Sequence, residues 1–210
     1  MIIIERYRYF NNIYDYRDYL SSIKIKKIGE GSEGEAFLTN DNSVIKVFDD
    51  HSKTKEDTKD DIIMLQDYNI PSYYFPFQLQ IVDGLIVSYL CNYFPGNVIK
   101  CGAPYNCDIN EINIDNLLKA YHRMVKDTEI ISKDNIMVYD LAFDLLFNNY
   151  KLGAVDTFNY YRDKKSTLED NLESLDYTLL HELHYHDIRF EPDYNESIEH
   201  NLKRIKKQYK

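Results

Sequence analysis

The sequence predicts an α+β protein of two lobes: an N-terminal five-stranded antiparallel sheet with one helix, then a reduced, mainly helical C-terminal lobe. Period-two patterns and turn-forming pairs are concentrated before residue 93. Apolar residues at helical spacing dominate after residue 112. Residues 94–111 contain two prolines and two glycines, which indicates a hinge or connector. The predicted divisions are therefore 1–93, 94–111 and 112–210.

Length, charge and hydropathy argue against several classes of function. A chain of 210 residues is long enough for one large domain or two small lobes. A net charge of −10 argues against nucleic-acid binding, because phosphates would be repelled over most of the surface. The apolar runs are too short to cross a membrane or to form a secretory signal. We expect a cytoplasmic protein without membrane partners; export by a route that leaves no mark in the sequence is the alternative.

The first predicted elements are a helix and three strands. Residues 11–22 favour a short leading helix, and residues 23–28 alternate isoleucine with lysine as in a half-exposed strand. Two apolar runs follow, at 35–38 and 44–48. The residues between them, 39–43, are rich in turn formers, so the two runs are expected to form a hairpin.

A helix and two more strands complete the predicted N-terminal lobe. Residues 54–68 change to helical spacing, with acidic residues near the start, where the helix dipole favours them. Apolar runs at 77–82 and 85–90 are separated by Asp83 and Gly84, a strong hairpin signal. The predicted order is three strands, one helix and two strands.

The C-terminal lobe is predicted to be helical with one small hairpin. Three helices are expected, at 114–128, 166–185 and 198–209. Ser166 and Glu169 are spaced as a capping box for the second of them. Residues 136–156 break the helical spacing with two apolar runs around Asn148 and Asn149, which favours a hairpin.

Cysteine and histidine spacings match no common metal site. Cys101 and Cys107 fit no zinc pattern, and a disulfide between them is the less favoured alternative in a reducing compartment. An H-E-x-x-H motif fails because Tyr185 stands where its second histidine belongs. His181 and His184 are therefore interpreted as part of a partly exposed helix side rather than as a metal pair.

A glycine-rich motif lies between the first two predicted strands. Gly29, Gly31 and Gly34 form a G-x-G-x-x-G pattern. In a dinucleotide-binding loop this pattern must open a helix, whereas here strands flank it on both sides. A glycine-rich hairpin can lie over phosphates because no side chains stand in the way. The alternative is a glycine-rich turn that binds no ligand.

Lys46 stands twelve residues after the third glycine, within the apolar run Val44–Val47. Burying a lysine is costly unless an opposite charge meets it. Nucleotide phosphates would supply that charge, and so would a carboxylate on the next helix. Asp61 is the favoured helix residue, with Glu56 and Asp60 as alternatives. The alternative interpretation of Lys46 is an edge-strand lysine whose ammonium reaches water.

Together with two aspartates in the second half, these features resemble the protein-kinase fold over about residues 23–160. Residues 138–141 (Val-Tyr-Asp-Leu) are similar to the catalytic-loop sequence H-R-D-L. Residues 154–158 (Ala-Val-Asp-Thr-Phe) are similar to the strand that leads into D-F-G. The run Val44–Val47 is similar to V-A-I-K, and Ala36 takes the small apolar position after the third glycine. The joint order of these motifs carries the resemblance.

The resemblance implies binding of ATP and Mg²⁺ in a cleft and phosphoryl transfer to a hydroxyl of a protein or small molecule. Lys46 is implied to grip the phosphates, oriented by Asp61, and Asp140 to position the acceptor hydroxyl. Asp156, with Asp144, is implied to hold Mg²⁺. The residues implied to cover the phosphates are Gly29, Gly31, Ser32, Gly34 and Ala36.

Several positions depart from the kinase pattern. Val138 and Tyr139 replace the His and Arg of the catalytic loop, and Phe158 replaces the glycine of D-F-G. Leu145 stands where kinases carry a metal-binding Asn, although the adjacent Asp144 takes that place if the loop is one residue shorter. The alternative function is therefore a pseudokinase that serves as a nucleotide-binding or protein-interaction module. A third alternative is a non-kinase scaffold with chance matches.

Overall fold

The computed structural model describes most of the chain between residues 6 and 208. The described residues are 6–23, 25–55, 65, 68, 70–99, 108–138, 141 and 144–208. Over them the protein is α+β, with a mixed multi-stranded sheet and four α-helices. The chain divides into two units, the first made of Met1–Asn69 and Tyr74–Tyr93 and the second of Ile70–Tyr73 and Phe94–Lys210.

Strands of the first unit form a single sheet, which has seven strands within the described residues. They are β1 (Tyr7–Phe10), β2 (Ile25–Gly31), β3 (Gly34–Thr39), β4 (Ser43–Phe48), β5 (Thr54–Lys55), β6 (Pro76–Val82) and β7 (Leu85–Asn92). The order across the sheet is β1-β6-β7-β4-β3-β2, and β5 also pairs with β7. Neighbouring strands are antiparallel, except that β1 runs parallel to β6.

Tight turns with positive backbone φ connect the hairpins of this sheet. Asn42, at φ 66°, lies in the turn between β3 and β4. Asp83 and Gly84, at φ 50° and 74°, form the two-residue turn between β6 and β7. Asparagine, aspartate and glycine are the residues that adopt this conformation most readily. The two hairpins predicted at these places are confirmed.

The leading helix is also confirmed, as α1 (Ile13–Ser22). The side chain of Asn12 begins it by accepting hydrogen bonds from the backbone N–H groups of Tyr14 and Asp15, at 2.9 and 3.0 Å. Tyr16 faces inward and forms a buried cluster with Val82 and Val87 of the sheet. Burial of this apolar face, more than helix propensity, stabilises so short a helix.

The predicted five-stranded antiparallel sheet is wrong in strand number and in one strand direction. β1 adds a parallel strand beside β6, with Tyr7 opposite Leu79, and β5 adds a short strand beside β7, with Thr54 opposite Ile86. Strands of four and two residues are too short to display a period of two. Pairing with a distant strand, which a local pattern does not reveal, creates them.

The predicted helix over 54–68 is wrong at its start, because Thr54 and Lys55 form β5. Leu65 is fully buried, and the ring of Tyr68 packs against the ring of Phe75 at 6.5 Å between centroids. The rest of that prediction lies outside the described residues, and so does the question of a disulfide between Cys101 and Cys107.

Three helices dominate the second unit, in agreement with the prediction. They are α2 (Ile114–Ser132), α3 (Leu168–His186) and α4 (Ile198–Gln208), preceded by a 3₁₀ turn (Ile109–Glu111). The buried apolar side chains that these helices contribute include Leu117, Met124, Leu175, Leu179, Leu183, Leu202 and Ile205. None of the helices in the described part of the chain is long and apolar enough to cross a membrane.

Short strands complete the second unit. They are β8 (Asn97–Val98), β9 (Ile136–Met137), β10 (Leu145–Phe147), β11 (Leu152–Ala154) and β12 (Tyr161–Arg162). A three-stranded sheet has the order β11-β10-β8, and β12 pairs with β9. Asn149, at φ 68°, lies in the turn between β10 and β11. The hairpin predicted around Asn148 and Asn149 is therefore confirmed.

The capping box of α3 lies one residue later than predicted. Thr167 and Asp170 form it: the Thr167 N–H donates to Asp170 at 2.8 Å, and the Asp170 N–H donates to Thr167 Oγ1 at 3.1 Å. Hydrogen bonds from Thr167 hold the pKa of the Asp170 carboxyl below its ordinary value. Ser166 does not cap the helix, because it is buried and its hydroxyl donates to Met137 Sδ at 3.3 Å.

Candidate functional site

The G-x-G-x-x-G motif forms the tight hairpin between β2 and β3. Gly31 lies opposite Gly34, and Gly29 lies opposite Ala36, so a two-residue turn connects the strands. A strand, and not a helix, follows the motif. The motif therefore lacks the helix N-terminus that holds the pyrophosphate in dinucleotide-binding loops.

Of the three glycines in this motif, Gly34 is the one that the hairpin itself requires. Gly34 has a φ of 150°, and a Cβ there would lie 2.0 Å from the carbonyl oxygen of Val47. A Cβ on Gly29 would lie 3.8 Å from the Cβ of Ala36, an ordinary contact. A Cβ on Gly31 would meet nothing within 4 Å in the described residues. The hairpin backbone is therefore open to close approach at Gly31.

Lys46 lies in the interior of the sheet. It stands on β4, opposite Ala36 of β3 on one side and Tyr89 of β7 on the other. The interpretation of Lys46 as an edge-strand lysine is therefore wrong. Its side chain is 12% exposed, and its Nζ lies 2.9 Å from Glu33 Oε2 in the hairpin turn. A carboxylate from the glycine-rich motif itself thus meets the charge of this lysine.

Two further contacts hold the hairpin turn against the end of β4. The N–H of Asp49 donates to the carbonyl oxygen of Glu33 at 2.9 Å. His51 Nε2 lies 3.0 Å from the carbonyl oxygen of Ser32 and acts as the donor, since a carbonyl oxygen only accepts. Neither contact uses the carboxylate of Glu33, so both can hold the turn whether or not Glu33 pairs with Lys46.

A second lysine on the same hairpin has its own carboxylate partners. Lys27 Nζ pairs with Glu30 at 2.6 Å and also with Glu35. The hydrogen bond from Lys27 holds the pKa of the Glu30 carboxyl below its ordinary value. Hydrogen bonds to Glu30 and then Glu35 raise the pKa of Lys27. These groups are solvent-exposed, so the cluster is separate from the largely buried Lys46.

In the second unit, Asp144 and Asp156 lie at the same end of the β10–β11 hairpin. Leu145 is opposite Ala154, and the N–H of Val155 donates to the carbonyl oxygen of Asp144 at 3.1 Å. Val155 thus pairs with Asp144, and Asp156 is the next residue along the chain. Both aspartates are partly exposed, whereas Leu145 is fully buried.

This arrangement fits the chemistry of a magnesium site in part. Carboxylate oxygens such as those of Asp144 and Asp156 are the ligands that Mg²⁺ prefers in proteins. Leu145 lies in the core and supplies no ligand. Among the residues that the structure describes, no three His, Cys, Asp or Glu side chains are grouped to hold a metal. Asp140 lies outside that part of the chain.

Asn171 holds the segment that leads into the predicted catalytic loop, and no sequence motif indicated it. It is fully buried on α3, where its Oδ1 accepts from the N–H of Val138 at 2.8 Å. Its Nδ2 donates to Ser132 Oγ and to the carbonyl oxygen of Ile136, each at 2.8 Å. One amide therefore holds the chain two residues before Asp140. The only sequence signal is an asparagine at a core position of a predicted helix.

We expect Asn171→Ala to lower the free energy of unfolding by about 3 kcal/mol, because it leaves buried backbone groups of Ile136 and Val138 without partners. Urea denaturation measures this loss. Asn116→Ala, on α2, is the control, and we expect a change within about 0.5 kcal/mol there. Equal effects of the two substitutions would show that the buried amide has no special role.

The predicted site residues thus fall into three groups. The six predicted phosphate-binding residues lie together on β2, β3, β4 and the intervening turn: Gly29, Gly31, Ser32, Gly34, Ala36 and Lys46. Asp144 and Asp156 lie together on the β10–β11 hairpin. Asp61 and Asp140 lie outside the described residues. Glu33, a partner of Lys46, was missed because only the hairpin register brings the two together.

An open groove elsewhere in the first unit contains none of these residues. It has a volume of about 720 Å³ and lies between α1 and the outer ends of β2 and β3. Its lining includes Leu20, Ile25, Lys26 and Leu38. Among the described residues that line it, the groove has one cation and no carboxylate, so its chemistry does not match the phosphate-binding features around Lys46.

No protein-family model matches the chain, and no curated protein is significantly similar to it. The resemblance to protein kinases accordingly rests on the sequence motifs.

Proposed function

We propose that the chain is an ATP-dependent phosphotransferase with a two-lobed, protein-kinase-like fold, which transfers a phosphoryl group to a hydroxyl of a protein or small molecule. The main support is Lys46, a largely buried lysine on an interior strand. It lies opposite Ala36 of a glycine-rich hairpin whose backbone is open at Gly31. A positive charge beside exposed backbone is the combination that phosphate binding requires.

In this proposal each group of residues has one role. Lys46 binds the phosphates, and the hairpin residues Gly29 and Gly31 allow close approach of the backbone to them. Asp156 and Asp144 would hold Mg²⁺, which neutralises charge on the phosphates when it is bound. The role of Asp140, which is to orient the acceptor hydroxyl, is inferred from the sequence alone. The role of Asp61 as an orienting partner of Lys46 is inferred in the same way.

The second candidate function is a pseudokinase, which binds nucleotide or a protein partner without efficient phosphoryl transfer. Full burial of Leu145 favours it, because an apolar core residue occupies the position at which kinases carry a metal-binding Asn. Phosphoryl transfer depends on positioning and on neutralisation of charge, so loss of one ligand weakens it. We favour the enzyme, since Lys46, Asp140 and Asp156 are all retained.

We expect Lys46→Met to reduce ATP affinity at least about tenfold while the sheet stays folded, because Met preserves the packing of the side-chain stem and removes the charge. The measurement is thermal unfolding with and without ATP and Mg²⁺. Bound ATP at about 100 times its dissociation constant should add about 2.7 kcal/mol to wild-type stability. The variant should gain much less at the same ATP concentration.

Lys26→Met is the matched control for this experiment. Lys26 lies on β2 of the same sheet, where its side chain is exposed. Removing its charge tests whether any loss of positive charge on the sheet weakens ATP binding. Equal ATP affinity of wild type and folded Lys46→Met would contradict the assignment of this strand to phosphate binding.

A further inference from the structure

Glu33 is a charged residue of the glycine-rich hairpin, and the proposed function gives it no role. Its carboxylate lies 2.9 Å from Lys46 Nζ and is itself 39% exposed, whereas the lysine side chain is 12% exposed. The side chain of Lys46 is thus largely buried, and its ammonium contacts a carboxylate. Phosphate oxygens would use this same ammonium in the proposed function.

Glu33 and the phosphates would approach the ammonium of Lys46 from the same side, because Glu33 belongs to the hairpin that is proposed to cover the phosphates. Two negatively charged groups that share one side of an ammonium repel each other, whereas the proposed orienting partner Asp61 belongs to another segment of the chain. Glu33 has the weaker charge and the more exposed position, so its side chain is the group that moves to water. Exposure also makes its carboxylate cheap to solvate once it is displaced.

The hairpin can release this carboxylate without opening. The turn is fixed by the hydrogen bond from Asp49 to the Glu33 carbonyl oxygen and by His51 at the Ser32 carbonyl oxygen. These contacts involve the main chain of the turn only. Rotation of the Glu33 side chain can therefore take its carboxylate away from the Lys46 ammonium while the glycine backbone stays in place.

We propose that Glu33 sets the nucleotide affinity of this protein: its carboxylate occupies the anion position on Lys46, and nucleotide phosphates must displace it. The inference rests on the proposed function, because it assigns the competing anion to nucleotide. Glu33 is a residue that acts through Lys46 and has no part in the transfer step. Its removal strengthens nucleotide binding, whereas removal of an orienting partner of Lys46 would weaken it.

The test compares Glu33→Gln with Glu35→Gln in the full chain. Both substitutions remove one negative charge from the same hairpin, but Glu35 pairs with Lys27 and not with Lys46. Titration with ATP and Mg²⁺ should give a dissociation constant about three- to tenfold lower for Glu33→Gln than for wild type. Glu35→Gln should match wild type within about twofold.

A second measurement tests the ion pair between Lys46 and Glu33 in the absence of nucleotide. Wild type, Glu33→Ala and Glu35→Gln are treated briefly with acetic anhydride, and acetylation of Lys46 is quantified by peptide mass spectrometry. Acetylation of Lys46 should be severalfold faster in Glu33→Ala, because the Glu33 carboxylate no longer contacts the amine. Glu35→Gln should instead accelerate acetylation of Lys27.

The two measurements separate failure of this inference from failure of the proposed function. Unchanged or weaker ATP binding by Glu33→Gln, with clear binding by wild type, overturns the inference and leaves the proposed function standing. Unchanged acetylation of Lys46 in Glu33→Ala overturns it as well. Faster acetylation with no ATP binding by any variant overturns the nucleotide assignment, and the proposed function with it.

Discussion

Asp144→Ala is expected to lower phosphoryl-transfer turnover about 100-fold, with ATP binding affected much less. Asp144 lies beside Asp156 at the end of the β10–β11 hairpin, and Leu145 next to it is buried. If a carboxylate replaces the Asn ligand of kinases, Asp144 is the residue that supplies it. A metal-binding residue that helps to neutralise charge on the transferred phosphoryl group affects turnover more than it affects ATP binding. The measurement is the ATP-dependent rate with an acceptor found by screening, in parallel with ATP affinity.

Asp144→Asn is the matched variant for that experiment. It restores the residue type of the kinase pattern, and its amide oxygen can still coordinate Mg²⁺. We expect it to keep turnover within about tenfold of wild type. Asp140→Ala should lose turnover as well, since it removes the group proposed to orient the acceptor hydroxyl. Full activity of Asp144→Ala would refute the ligand role and favour the pseudokinase.

Asp156→Asn is expected to abolish the Mg²⁺-dependent part of the stabilisation by ATP. Asp156 is the first candidate for the main metal ligand, and an amide lacks the negative charge that a divalent cation favours. At about 100 times the dissociation constant, ATP should add about 2.7 kcal/mol, or about 5–10 °C in Tm for a chain of this size. The comparison is thermal unfolding with ATP and Mg²⁺ against ATP and EDTA.

Glu173→Gln is the control for this charge change. Glu173 is an exposed carboxylate on α3. The variant should keep the full Mg²⁺-dependent shift. An undiminished shift in Asp156→Asn would show that the metal binds elsewhere. If the Tm of the wild type does not change with any nucleotide, the remaining proposal is a pseudokinase that binds no nucleotide.

Hairpins and helices with strong local signals were predictable from the sequence alone. The β3–β4, β6–β7 and β10–β11 hairpins each combine two apolar runs with residues that adopt positive φ. Helices α2, α3 and α4 each repeat apolar residues at helical spacing, whereas α1 was predicted from a looser alternation of apolar and polar residues. The placement of the glycine motif between strands, with Lys46 on the next strand, followed from the same local patterns.

The tertiary structure decided what depends on contacts between distant residues. β1 and β5 exist because they pair with β6 and β7, and their own residues are too few to show a pattern. The helix cap moved from Ser166 to Thr167 because Ser166 is buried against Met137.

The same distinction applies to the candidate site. The sequence by itself determined which residue types are present and in what order: glycines, an apolar strand with Lys46, and Asp140 and Asp156 in the second half. Only the tertiary structure showed that Glu33 meets Lys46 and that Asn171 holds Val138. Propensity and periodicity act between near neighbours in the chain. The ion pair between Lys46 and Glu33 joins residues 13 positions apart, and the buried hydrogen bond between Val138 and Asn171 joins residues 33 positions apart. Strand register and packing bring these residues together.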